Sequence, residues 1–361
     1  MLSDIAPLIK RIIRGENLTS DETAKILTVT SREDTEGYYY LAFTAAILTK
    51  GLTEEELSGL VKGLQEFAVK ISTKIDPFKI TDVSGSGGDV LKTFNVSTAT
   101  ALVSAAAGNF MAKQSFRAFT SVMGSSDIFQ TIGVKFLKKP DEMAKCLEEV
   151  GIVPLYYPFL YKGMETRLNA TARINQLGLK LPTPMHPIAL VPAPIPMKSR
   201  LYGLFSEKYM EPIAHILQKS GYYRGMIVHG VDGLDEVSNI GLTKVVEFSN
   251  KKLEQYELSP EEMGLKRSNY KDISSLDKKQ NIINFLRVVS GRETGPKGDI
   301  VLANAGASLY ITGKASNIKD GVELARQTID EGKAAEKLED LIVYSGDANR
   351  LQQCLKEANI L

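Results

Sequence analysis

Residues 81–100, TDVSGSGGDVLKTFNVSTAT, set Gly85, Gly87, Gly88 and Asp89 after a strand-like approach and a few residues ahead of Asn95-Val96-Ser97-Thr98. Glycines let a backbone approach a ligand closely and turn its N–H groups inward, an arrangement that suits phosphate. The helix expected from about Ser97 and Thr98 adds unpaired N–H groups and the positive end of its dipole. The same residue types also build plain tight turns. The spacing is not that of a dinucleotide fingerprint, and no Gly-Lys-Ser/Thr follows, which argues against the common nucleotide-binding loops.

Two further segments carry chemistry. Residues 112–127, AKQSFRAFTSVMGSSD, hold Lys113, Arg117, Ser121, Ser125 and Asp127 in a stretch too rich in small residues for a simple core helix. Two cations and several hydroxyls on a loop are what a polyphosphate needs, and a solvated loop is the alternative. In GLDEVSNIG, Asp235 and Glu236 are adjacent in a loop after a strand. Such a pair can hold Mg²⁺ through oxygen ligands while the ion bridges to substrate phosphates; alone, it also fits an ordinary acidic surface.

The elements that must position these segments fall into two parts. In the first 75 residues, Thr19 with Glu22 and Thr53 with Glu56 have the capping-box spacing, YYYLAFTAAILTKG is apolar enough to be buried, and Gly51 is a helix stop. A small helical domain is expected over 1–75, with a contribution from about 163–185. From residue 76 to 361, strand-like runs (KITDVSG, NFMAKQS, GMIVHG) alternate with small-residue helices, which predicts an α/β domain whose mostly parallel central sheet is flanked by helices. SPEEMGL predicts a helix start at Ser259 with Pro260 in its first turn, and residues 301–342 read as two long helices with a loop at Gly313. LPTPMHPIALVPAPIP, residues 181–196, excludes a regular helix or central strand and reads as a rigid connection or a substrate-facing loop.

Bulk properties narrow the classes. A chain of 361 residues, 43% hydrophobic, can bury a large core. Lys plus Arg number 44 against 43 Asp plus Glu, so no overall field favours nucleic acid or an anionic membrane. The two cysteines, Cys146 and Cys354, form no disulfide framework or metal spacing and fit a reducing cytoplasm. The N-terminus reads as a core helix rather than a signal peptide, and no apolar run is long enough for a spanning helix.

Together the three segments resemble those of the anthranilate phosphoribosyltransferases, and the resemblance runs from the helical N-terminus to NAGASLY. That family's Gly-Thr-Gly-Gly-Asp and Asn-x-Ser-Thr are here GSGGD and NVST; its Lys-His-Gly-Asn-Arg through Ser-Gly-Ser-Ala-Asp aligns without a gap on Lys113 to Asp127, and its Asp-Glu-Val-Ser on Asp235 to Ser238. The resemblance implies 5-phosphoribosyl 1-pyrophosphate bound between the two domains with Mg²⁺, in a homodimer. It implies donor contacts from Gly85, Gly88, Asp89, Thr93, Asn95, Ser97, Thr98, Lys113 and Ser125, with Arg117 and Ser121 in the same segment, and metal contacts from Ser97, Asp235 and Glu236. Transfer would replace pyrophosphate at the anomeric carbon through an oxocarbenium-like transition state, so stabilising the leaving charge and positioning the amine matter more than a strong general base. No catalytic acid or base is assigned.

The acceptor side departs from the pattern. Gln114, Ser115 and Phe116 stand where the family has His-Gly-Asn, and Phe116 cannot make the asparagine's hydrogen bond. The acceptor arginine falls on Arg173 in preference to Arg167, and the family's Arg-Thr-x-Phe-Asn and Gly-Pro-Leu-Thr-Asn-Pro run is replaced by residues 180–196. His186 in that segment reads as structural or acceptor-facing. Besides an anthranilate enzyme, the sequence leaves open the same donor with another acceptor, a nucleoside-phosphorylase-like reaction and a nucleic-acid-binding relative without activity.

Overall fold

The computed structural model describes residues 1–88, 91–118, 122–161, 163, 165–178, 183–250 and 252–361. The chain forms two compact units, one of Met1–Lys70 with Tyr157–Pro194 and the other of Ile71–Tyr156 with Ile195–Leu361.

The first unit is helical. Helices Leu2–Ile13, Ser20–Glu33, Tyr38–Lys50 and Glu54–Gln65 are joined later in the chain by Glu165–Gln176. Both capping boxes form: Glu22 N–H donates to Thr19 Oγ1 (3.2 Å) and Thr19 N–H to Glu22 Oε2 (2.9 Å), and Thr53 and Glu56 repeat the exchange at 3.2 and 3.0 Å. Glu56 does more than cap. Its fully buried carboxylate also accepts from Leu18 N–H (3.0 Å) and from Lys50 Nζ (2.8 Å), which ties two helices and the connection before Ser20–Glu33 to one charge. Gly51, at φ 88°, ends its helix as expected. Helices Ser20–Glu33 and Glu54–Gln65 touch through glycine: a Cβ on Gly59 would lie 2.4 Å from Ser20 O, and one on Gly63 would lie 3.0 Å from Leu27 Cβ.

The second unit holds eight named strands among the described residues: β1 (Ile80–Thr81), β2 (Val83–Gly85), β3 (Phe110–Ser115), β4 (Ile152–Tyr156), β5 (Ser199–Gly203), β6 (Arg224–Gly230), β7 (Thr243–Ser249) and β8 (Lys252–Leu258). They form a parallel sheet ordered β1-β3-β4 and a second sheet ordered β2-β5-β6-β7-β8, in which β2, β5 and β6 are parallel and the last two antiparallel. Strands β4 and β5 are buried almost throughout, as parallel strands covered by helices should be, whereas β8 is largely exposed at the edge. Helix Val96–Ala106, with nine buried residues, follows β2.

Two expectations need correction. SPEEMGL makes one turn rather than a helix: Ser259 and Glu262 exchange capping hydrogen bonds, but Gly264 at φ 77° ends the turn at once. The C-terminal stretch is three helices, Pro296–Ile311, Ile318–Asp330 and Lys333–Ser345, because Gly332 at φ 77° breaks the chain a second time after Gly313. Residues 183–196 of the proline-rich segment are turns without helix or strand.

Candidate active site

Strands β2, β5 and β6 run parallel, so the loops after Gly85, Gly203 and Gly230 leave the sheet at one edge, where open α/β folds bind ligands. The glycine turn follows β2. Gly87 and Gly88 take φ of 67° and 89°, a region that favours glycine, and Gly87 N–H donates to Asp235 Oδ2 at 2.7 Å. Gly85 is glycine for a steric reason: a Cβ there would lie 2.3 Å from Asp235 Oδ2. Gly203 is stricter, since its Cβ would fall 1.6 Å from the carbonyl oxygen of Asp235. The acidic loop is thus seated directly on the glycine turn.

That loop is held from outside the motif. Asn304, on helix Pro296–Ile311, accepts from Val237 N–H and donates to Val237 O, both at 2.9 Å. Ser238 Oγ donates to Asp232 Oδ2 at 2.5 Å, and Asn239 Nδ2 to Pro296 O at 2.8 Å. Asp235 and Glu236 are buried carboxylates. Burial pushes the Asp235 carboxyl pKa up, opposed by the Gly87 N–H and by the charges of Lys92 and His229. A divalent cation would offset that cost. The available donors are hard oxygens, which fit Mg²⁺, an ion that takes few protein ligands when substrate phosphates supply others. Among the described residues no group of three or more His, Cys, Asp or Glu side chains could hold a metal alone.

Helix Val96–Ala106 begins at Asn95, whose side chain makes no capping bond. It donates instead to Asn281 Oδ1 (2.9 Å) and Met123 O (3.2 Å), which links the helix N-terminus to the second segment. Among the described residues the helix thus has no side-chain cap, and the buried Thr98 Oγ1 has no hydrogen-bond partner. Ser97 is half-buried, and Thr93 bridges to Ser274.

Lys113 lies on β3 rather than on a loop. It is 2% exposed and its Nζ donates to Gln114 O at 2.9 Å. Burial lowers its pKa, while Asp82, Glu236 and Asp235 favour the charged form and Arg200 opposes it. Gln114 and Ser115 are buried on the same strand, Phe116 N–H donates to Ser125 Oγ (3.1 Å), and Arg117 is exposed. Asp127 Oδ2 closes the loop by accepting from Ala118 N–H (2.8 Å) and Gly124 N–H (2.9 Å). Asp89 and Ser121 lie outside the described residues.

A buried network escaped the sequence reading. Arg200 Nη2 donates to Asp82 Oδ2 (2.6 Å) and Ser84 Oγ (3.2 Å), Nη1 to Tyr222 Oη (3.2 Å), and Gln114 N–H to Asp82 Oδ1 (3.2 Å). It fixes β2, β3 and β5 beneath the turn. Asp and Ser two apart in TDVSG, on a buried strand, signal that polar partners are needed there, though not that Arg200 is one of them.

The acceptor candidates lie in the helical unit. Arg173 is exposed, with 69% of its side chain accessible, and is 3.9 Å from Glu36. Arg167 is 2% exposed; its Cζ is 5.9 Å from the ring centroids of both Tyr40 and Phe67. His186 is buried and its Nδ1 accepts from Thr183 N–H at 2.8 Å; burial lowers its pKa. A structural role accounts for that bond.

Residues 78–335 match the a/b domain of the glycosyl transferase family, and residues 6–68 match its helical bundle domain, so the class is a pentosyltransferase-type enzyme of two domains. The chain is 32% identical over 337 residues to the anthranilate phosphoribosyltransferase of Petrotoga mobilis, covering 93% of this chain and 96% of that protein. It is 34% identical to that of Acetivibrio thermocellus, covering 93% and 95%. The crystal structure of the Thermus thermophilus enzyme superposes with a TM-score of 0.83 at 29% identity, over 93% of this chain and 98% of that one. The Saccharomyces cerevisiae enzyme in complex with PRPP and Mg shares the fold, with a TM-score of 0.81 at 24% identity over 95% and 98%. The chain belongs to the anthranilate phosphoribosyltransferase family.

Proposed function

We propose that the chain transfers the 5-phosphoribosyl group of phosphoribosyl pyrophosphate to anthranilate, in tryptophan biosynthesis, with release of pyrophosphate. The observation that carries the reading is the 2.7 Å bond from Gly87 N–H to Asp235, which seats an acidic loop on a phosphate-type glycine turn. The uncapped N-terminus of helix Val96–Ala106 lies in the same unit.

The roles follow from the chemistry. Backbone N–H groups around Gly85 and Gly88, the first turn at Asn95, Ser97 and Thr98, and the Lys113 ammonium would receive the phosphate and departing pyrophosphate charge, with Thr93, Arg117 and Ser125 completing the donor contacts. Asp235, Glu236 and Ser97 would hold Mg²⁺, which would neutralise pyrophosphate. The aromatic amine is nucleophilic without a strong base, so the site's work is positioning and charge stabilisation. The reading carries with it a homodimer, checked by light scattering, and a cytoplasmic location, consistent with two buried free cysteines.

Calorimetry of phosphoribosyl pyrophosphate with and without Mg²⁺ tests it, repeated with Asp235 and Glu236 both changed to alanine. Mg²⁺-dependent binding lost in the double variant is expected, followed by turnover with anthranilate; no binding in any condition overturns it. Phe116, in place of a hydrogen-bonding residue, favours a second reading in which the donor is the same and the amine differs. Turnover with another aromatic amine and none with anthranilate would establish that reading.

A further inference from the structure

Asn95 precedes helix Val96–Ala106 and is of a type that ordinarily caps such an end, its side-chain oxygen accepting from the second or third N–H, here those of Ser97 and Thr98. It makes no such bond. Its backbone, at φ −72° and ψ 68°, is an inverse γ-turn closed by Val96 N–H on Phe94 O at 2.7 Å, not the extended conformation of a capping residue. Its side-chain nitrogen donates instead to Asn281 Oδ1 at 2.9 Å and to Met123 O at 3.2 Å.

The orientation of both amides follows from partners that can play only one part. Met123 O only accepts, so Asn95 turns its NH₂ away from the helix and toward that carbonyl. The Asn95 backbone N–H only donates, and it reaches Asn281 Oδ1 at 3.3 Å, so Asn281 presents its oxygen. Asn281 is 1% exposed and sits in the first turn of helix Lys278–Val289, its N–H on Asp277 O at 3.1 Å. The stretch leading to it holds the approach to Asn95 as well. Lys92 N–H donates to Tyr270 Oη and Ser275 N–H to Lys92 O, both at 3.0 Å, and Thr93 bridges to Ser274.

We infer that Asn281 is a positioning residue: by holding the Asn95 side chain away from its own helix, it keeps the start of Val96–Ala106 open to an anion. A released Asn95 would turn its oxygen onto Ser97 or Thr98 N–H and take a donor that a phosphate group would use. The buried, unpartnered Thr98 Oγ1 is a second polar group in that turn with no protein contact among the described residues. The inference rests on the proposed function only in its choice of anion, pyrophosphate, the group that the reaction releases.

Calorimetry of the full chain with pyrophosphate and Mg²⁺ tests this on the wild type, Asn281→Leu, Asn95→Ala and the double variant. Leucine keeps the volume and removes the acceptor, so Asn281→Leu is expected to weaken pyrophosphate at least about tenfold. In the Asn95→Ala background there is no amide to hold, and the same change is expected to cost less than about threefold. An equal loss in both backgrounds, as from a residue that only packs, overturns the inference and leaves the transferase reading standing. So does unchanged affinity in Asn281→Leu. No heat from the wild type at about 10 mM pyrophosphate overturns the open helix end itself. If Asn281→Leu does not fold, Asn281→Ala takes its place with the same expected losses. The expected pattern without phosphoribosyl transfer to any amine would count against the function and leave this inference standing.

Discussion

Gly87 N–H and Asp235 Oδ2, 148 positions apart in sequence, meet at 2.7 Å, and Gly85 leaves no room for a side chain beside the same carboxylate. Gly85→Ala therefore has a defined consequence. Its Cβ, 2.3 Å from Asp235 Oδ2, must displace the carboxylate and the loop that carries it. The expected outcome is a folded protein whose Mg²⁺-dependent donor affinity falls about tenfold to a hundredfold, measured by calorimetry, because about an ångström of misplacement costs that much. Unchanged donor affinity would separate the glycine turn from the donor site.

The Asp82–Arg200 pair lies beneath that turn with both side chains fully buried. Removing one member leaves the other as an uncompensated buried charge, so Arg200→Met is expected to cost about 3–5 kcal/mol in urea denaturation. Asp82→Asn combined with Arg200→Met should recover part of that loss. A double variant no more stable than Arg200→Met alone would show that the pair is not the source of the penalty.

The parts of this protein that were legible in its sequence are those whose physics is local. Thr19 with Glu22 and Thr53 with Glu56 cap helices because an N-cap and its N3 acid meet within one turn, and Gly51 stops a helix by its own φ. The alternation around KITDVSG and NFMAKQS foretold the parallel sheet. Where a local signal was cut short by a second one, the reading failed: Gly264 ends the turn that Ser259 and Pro260 begin, and Gly332 splits a helix whose apolar pattern continues. Contacts between distant segments were invisible. Nothing in the sequence pairs Asp82 with Arg200, 118 positions later, or Asn304 with the backbone of Val237, and these are the contacts that hold the glycine turn's strand and the acidic loop in place.

Gly59 sets how closely two helices of the first unit approach. A methyl group there would lie 2.4 Å from Ser20 O, a backbone atom that moves only with its helix. Gly59→Ala should therefore destabilise the protein by about 1–3 kcal/mol despite alanine's better helix propensity, measured by urea denaturation. A gain in stability would mean that the helices separate at little cost.

His186 gives the helical unit a pH dependence. Burial holds its folded pKa below the ordinary value, while Nδ1 accepts from Thr183 N–H, a bond that the neutral ring makes. Because the folded pKa is the lower one, the unfolded chain binds the proton more readily. The stability this residue contributes is full above the unfolded pKa, about 6.5, and is lost as pH falls through and below it. The melting temperature of the wild type should therefore fall between about pH 7.5 and pH 5.5, a range above most carboxylate titrations. His186→Asn, which removes the titrating ring and keeps a polar acceptor, should have a flatter profile over that range. Parallel profiles for the two proteins would assign the acid sensitivity to other groups.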